Sequence, residues 1–108
     1  MSDGVDFLRM RDAVRTSGVE WQRHALERMV ERSIRRADVL EVVRSGEPIE
    51  IYPADSPFPS ALILGWIGTR PLHVVAAFDP ERDRVFVITA YEPDLQHFEP
   101  GFRVRRTL

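Results

Sequence analysis

The spacing of apolar residues changes once along this chain, at Pro48, and that change limits the fold more than any other feature. Before it, apolar residues recur at helical spacing; after it, they alternate or run in short blocks between turns. Residues 3–16 predict a helix with Val5, Phe7, Leu8, Met10, Ala13 and Val14 on a loose apolar face, ended by Ser17-Gly18. A second helix is expected from Glu20 to Ser33, where Trp21, Ala25, Leu26, Met29 and Val30 fill one half-circle. A third runs from Ala37 to Arg44, with Leu40 and Val43 inward, Val39 flanking and Ser45-Gly46 as its stop. The short connection between the last two predicts an αα-hairpin.

Beyond Pro48, residues 49–52 alternate as a strand, and the three prolines of 53–59 make a loop. The blocks 61–67, 72–78 and 84–91 are joined by short turns, as in an antiparallel meander. On the last strand, simple alternation puts Phe86, Ile88 and Ala90 on the floor for the helices. It leaves Val85, Val87, Thr89 and Tyr91 on the opposite face. Helices needing a floor and a sheet needing a cover give one two-layer α+β domain, with N-terminal helices on one face of a roughly four-stranded antiparallel sheet. Its expected parts are a helical extension (1–19), the hairpin (20–46), the sheet (48–92) and a tail (93–108).

A chain of 108 residues supports one such core. Apolar content of 44% and charged content of 30% are those of a globular protein. No run reaches the roughly 20 apolar residues of a membrane span, and the first residues are acidic rather than signal-like. Together these predict a cytoplasmic protein without membrane partners. With no cysteine, disulfides and thiolate metal sites are excluded. The net charge of −2 argues against a surface coated in positive potential. Residues 21–45 nevertheless carry six Arg against four acidic residues. All 15 basic residues are Arg, as codon bias would produce, although Arg is also the better bidentate phosphate binder.

His24, His73 and His97 share no metal-ligand spacing, so neither a metal nor another cofactor is expected. Phosphate-binding loops, dinucleotide fingerprints and nucleophile elbows are missing from the sequence. His73, alternating with Leu72 and Val74, reads as a hydrogen-bonded structural histidine. His24, Arg28 and Arg32 lie one turn apart along a helical line, which fits a phosphate site or, as is common on inert surfaces, a solvated edge. Arg32 projects into the apolar arc and must find a carboxylate or carbonyls, or line a polar site. Thr89 and Tyr91 add two hydroxyls near a strand end, where capping of the sheet edge by Tyr91 is an equal reading. Together His24, Arg28, Arg32, Thr89 and Tyr91 suit metal-independent RNA cleavage, with imidazole as acid or base and guanidiniums on the phosphoryl oxygens. The rival reading is a non-catalytic protein-binding module acting through a sheet edge or helix groove.

Three segments, H-A-L-E-R-M-V-E-R-S-I at 24–34, D-V-L-E-V-V-R-S-G-E at 38–47 and G-T-R-P-L-H-V-V…V-I-T-A-Y-E-P-D at 68–94, resemble in order and spacing the bacterial domain-of-unknown-function family 4258. The resemblance covers roughly residues 22–106. Ser33 stands where that pattern usually has Gly, and Arg35 where it often has Ser. The family is similar to RelE- and BrnT-type toxins, small α+β ribonucleases of toxin–antitoxin pairs. The resemblance therefore implies an mRNA endonuclease held inactive by a protein partner, a zinc-finger antitoxin of the MqsA type. It carries His24, Arg28, Arg32, Thr89 and Tyr91 over as the site.

Overall fold

The computed structural model describes residues 5–16 and 18–107. Their elements in chain order are α1 (Phe7–Thr16), β1 (Val19–Trp21), α2 (Arg23–Glu31), α3 (Arg36–Ser45), β2 (Glu47–Tyr52), β3 (Ser60–Ile67), β4 (Arg70–Asp79) and β5 (Arg84–Tyr91). The strands form one sheet in the order β1-β5-β4-β3-β2, with the helices on one face. β1 runs parallel to β5 and every other pairing is antiparallel.

The architecture is the expected α+β two-layer domain with one strand more. The helix expected from Glu20 gives up its first residues to β1. Trp21 lies opposite Val87 rather than on a helical face. Three residues are too few to show a strand period, and only the distant β5 gives them hydrogen-bond partners. Residues 3 and 4 of the first expected helix, and its Ser17 stop, lie outside the described residues. Within them, Asp6 caps α1 by accepting the Arg9 N–H at 3.2 Å.

The helix-covered face carries the apolar core. Ala61, Ile63, Leu72, Val74, Ala76, Phe78, Val85, Val87 and Ala90 form its floor, and Met10, Ala13, Ala25, Met29, Val39, Val42 and Val43 close over it. α1 packs on α3 and β5, α2 on β5, and α3 on β3 and β4. The helical neighbour of α3 is thus α1, not the partner of an αα-hairpin. α3 approaches β3 closely because residue 65 is Gly: a Cβ there would lie 2.6 Å from Val42 Cγ2. Val30, expected inward, is 81% exposed, because α2 lies along one strand and buries a narrower stripe. In α3 it is Val39, Val42 and Val43 that are buried, with Leu40 only half-buried.

The face assignment of β5 also changes. Val75 pairs with Thr89 but Ala76 pairs with Val87, so Ile88 is an extra residue in a bulge. The bulge reverses the alternation, placing Val85 and Val87 with Ala90 on the floor and Phe86 on the far face. Thr89 and Tyr91 do face away from the helices, opposite Val75 and His73.

That far face is covered by irregular chain. At one end the proline-rich loop stacks Phe58 on Phe86, with centroids 5.6 Å apart. At the other, the tail folds back on itself through Glu99 N–H to Val104 O at 2.8 Å and Arg106 N–H to His97 O at 2.9 Å. It brings Phe98 edge-on to His73 at 4.5 Å and Phe102 against Trp66 at 6.0 Å.

Candidate functional site

The end of α2 sets the geometry. Ser33 takes a left-handed conformation (φ 57°), and the helix closes through Ile34 N–H to Met29 O at 2.9 Å and Ser33 N–H to Val30 O at 3.2 Å. This is why a Gly suits the position: it adopts a left-handed φ without steric cost. Arg70, at the start of β4, donates to the carbonyls of Ser33 and Arg32 at 3.0 Å each and to Glu92 at 2.8 Å. A guanidinium at a helix C-terminus satisfies carbonyls the helix leaves open.

Arg32, at the C-cap, directs its side chain to the sheet and donates to Ala90 O at 2.9 Å. This carbonyl is the partner its position demanded. No carboxylate pairs with it among the described residues. Beyond it opens a cleft of about 590 Å³ lined by Arg32, Arg70, Tyr91, Glu92, Pro93, Asp94, His97, Phe98 and Arg105.

Beneath the cleft lies a polar network. His73 is fully buried, with Nε2 2.8 Å from Phe102 O and Nδ1 3.2 Å from the Tyr91 hydroxyl. A carbonyl only accepts, so Nε2 carries the hydrogen and Nδ1 accepts the Tyr91 proton. Burial pushes the His73 pKa down, which favours this neutral ring, and pushes the Tyr91 hydroxyl up. The only proton of Tyr91 is thereby committed, and the hydroxyl can offer the cleft an acceptor but no donor. It orients neighbours and is no acid.

Arg105 lies 4.9 Å over the Phe98 ring and donates to Glu50 at 2.8 Å. Burial pushes Glu50 up, but hydrogen bonds from Tyr52 and Arg105 outweigh it and hold the carboxyl below its ordinary range. His97 and Asp94 stand at the rim, Nδ1 to Oδ1 at 2.8 Å.

The cleft brings together two of the five residues expected from sequence, Arg32 and Tyr91. His24, 89% exposed, lies 3.6 Å from Glu27, and Arg28 pairs with Glu31 at 3.2 Å on the outer edge of α2. Neither lines the cleft, and nor does Thr89. Such exposed pairs one turn apart are the solvated edge that the spacing also allowed. The residues missed were Arg70, Arg105, Asp94 and His97. Only the Asp94–His97 spacing carried a signal: three residues apart after Pro93, it allows the acid to cap the turn holding the base.

This is a small two-layer α+β domain with an arginine-lined cleft where α2 meets the end of β5. Residues 21–92, 72 of the 108, match the family model described as Domain of unknown function (DUF4258), and the chain belongs to that family. No curated protein and no solved structure matches it. The match takes in Arg32, Arg70 and Tyr91, whereas Asp94, His97 and Arg105 lie after it. Among the described residues no helix is long and apolar enough to cross a membrane.

Proposed function

We propose that the chain is a toxin-like, metal-independent endoribonuclease of a bacterial toxin–antitoxin pair, and that the scissile phosphodiester lies in the cleft at the end of α2. One observation carries the reading: Arg32, unpaired with any carboxylate among the described residues, shares a single open cleft with Arg70, Arg105, Tyr91 and His97. Guanidiniums that are already positioned can meet phosphoryl oxygens without reorganising, which is what stabilises charge in a phosphoryl transition state. Arg70 and Arg105 are anchored to Glu92 and Glu50 and so act as walls of fixed charge. Arg32 keeps N–H donors for a ligand. With Glu92 and Asp94 in the same lining, the site attracts one phosphate rather than a long backbone. That is compatible with a protein of net charge −2.

The rival reading, a module that captures a partner strand, fits less well. β2 is the long free edge, but Pro48 removes a donor, the register shifts between Pro48 and Glu50, and Glu47 and Glu50 charge it. These are the devices by which edges resist strand addition. Induced expression tests the reading, with growth and mRNA integrity scored. Wild type should slow growth and cleave mRNA, Arg32→Ala should relieve both, and His24→Ala should relieve neither. Co-expression of a zinc-finger antitoxin partner should restore growth. Wild-type expression that leaves growth and mRNA untouched contradicts it.

A further inference from the structure

We propose that His97, oriented by Asp94, is the proton acceptor of this cleft and takes the 2′-hydroxyl proton of a bound ribonucleotide. The assignment rests on the endoribonuclease reading above. The three histidines of the chain stand in different chemical positions. His24 is on the outer edge of α2, away from the cleft. His73 is buried with both ring nitrogens engaged, so it has nothing to offer a substrate. His97 lines the cleft and has only one nitrogen engaged among the described residues, Nδ1 with Asp94.

The geometry around Asp94 fixes the tautomer. Asp94 Oδ1 accepts the backbone N–H of Gln96 at 2.9 Å and of His97 at 3.0 Å, and the His97 ring nitrogen at 2.8 Å. A carboxylate only accepts, so Nδ1 bears the hydrogen and Nε2 of the neutral ring is left with its lone pair. The His97 hydrogen bond holds the Asp94 carboxyl below its ordinary range. The two backbone N–H bonds fix the carboxylate, and the carboxylate fixes the ring. Tyr91 cannot compete as an acid, because its proton is tied to His73.

In the step, the 2′-hydroxyl proton passes to His97 Nε2 while the 2′-oxygen bonds to phosphorus and the bond from phosphorus to the 5′-oxygen breaks. Arg32 donates to the non-bridging oxygens. The leaving 5′-oxygen takes a proton from water, and the resulting hydroxide recovers the proton from the imidazolium. The products are a 2′,3′-cyclic phosphate and a 5′-hydroxyl. Asp94 is a positioning residue, whereas His97 is catalytic. The substrate class is single-stranded RNA, whose 2′-hydroxyl can be presented in line, and not DNA.

The test uses the full chain, a short single-stranded oligoribonucleotide and excess EDTA. Cleavage is followed in single turnover, and affinity separately with a strand 2′-O-methylated throughout. His97→Ala should lose about 10²- to 10⁴-fold in cleavage rate and keep its affinity within about twofold, and free imidazole should restore part of the rate. Asp94→Asn should slow cleavage and move the acidic limb of the pH–rate profile to lower pH. A merely structural Asp94 would leave that limb in place. In free protein, ¹⁵N NMR should show His97 as the Nδ1–H tautomer. Cleavage at the wild-type rate after His97→Ala overturns this assignment alone, whereas wild type that binds without cleaving overturns the ribonuclease reading too. Wild type that neither binds nor cleaves overturns the ribonuclease reading beneath it as well.

Discussion

On the face toward the helices, Ile63, Val74 and Val87 are sealed by the apolar side chains of Met10, Met29 and Val42. On the opposite face, at the same level of the sheet, β3 and β4 turn Leu64 and His73 toward a tail that answers with Phe98, Phe102 and Arg105. The first face is held by volume and tolerates only shapes that fill it. The second is held by matched donors and acceptors, where the loss of one atom strands another. The candidate site opens where this second face meets the end of α2.

The contrast can be broken from either side. Ile63→Ala removes volume from the helix-covered face and should cost about 2–5 kcal/mol in denaturant unfolding, with RNA affinity unchanged in the fraction that remains folded. Tyr91→Phe removes one oxygen and leaves almost no cavity. It should still cost about 1–3 kcal/mol, because the buried Nδ1 of His73 loses its donor. If Tyr91→Phe proves neutral, the far face is held by packing too and the contrast fails.

A pH series sharpens the same point. The folded pKa of His73 is depressed, so just below the unfolded value of about 6.5 the unfolded chain binds a proton that the native chain does not. Stability should therefore rise with pH in that window, by up to about 1.4 kcal/mol per unit. It should be lost as pH falls from about 6.5 toward the folded pKa. His73→Gln should flatten this slope, and Ile63→Ala should leave it intact. The smallest effect is at the helix end. Ser33→Gly relieves a left-handed residue and should stabilise by about 0.5–1 kcal/mol, measured as a shift in denaturation midpoint.

The two faces also differ in how far the sequence discloses them. The apolar face is written in local periods: Ala25, Met29, Ile63 and Val74 declare themselves by spacing, and the two-layer class follows. Its errors, β1 and the phase of β5, arise where a distant strand decides. Trp21 fits a helix or a strand until Val87 is placed beside it, and the bulge at Ile88 has no local signature. Most of the site is written in no period at all. Arg70 and Arg105 stand 35 positions apart. They meet at Tyr91 only because β4 pairs with β5 and the tail returns across them. Arg32 was legible because an apolar arc made its charge anomalous. His24 and Arg28 shared its spacing but not its surroundings, and spacing alone cannot separate a helix edge from a helix end.

That separation is the centre of the account, and the affinity for a short 2′-O-methyl single-stranded oligoribonucleotide across a salt series tests it most directly. Arg32→Ala, the cleft arginine, should weaken binding about tenfold and reduce the slope of log affinity against log salt by about 0.7, one phosphate contact on a single strand. Arg28→Ala, one turn away on the outer edge, should stay within about twofold and keep the wild-type slope. The reverse, an unchanged Arg32→Ala beside a weakened Arg28→Ala, would place the ligand on the outer edge of α2 and contradict the cleft.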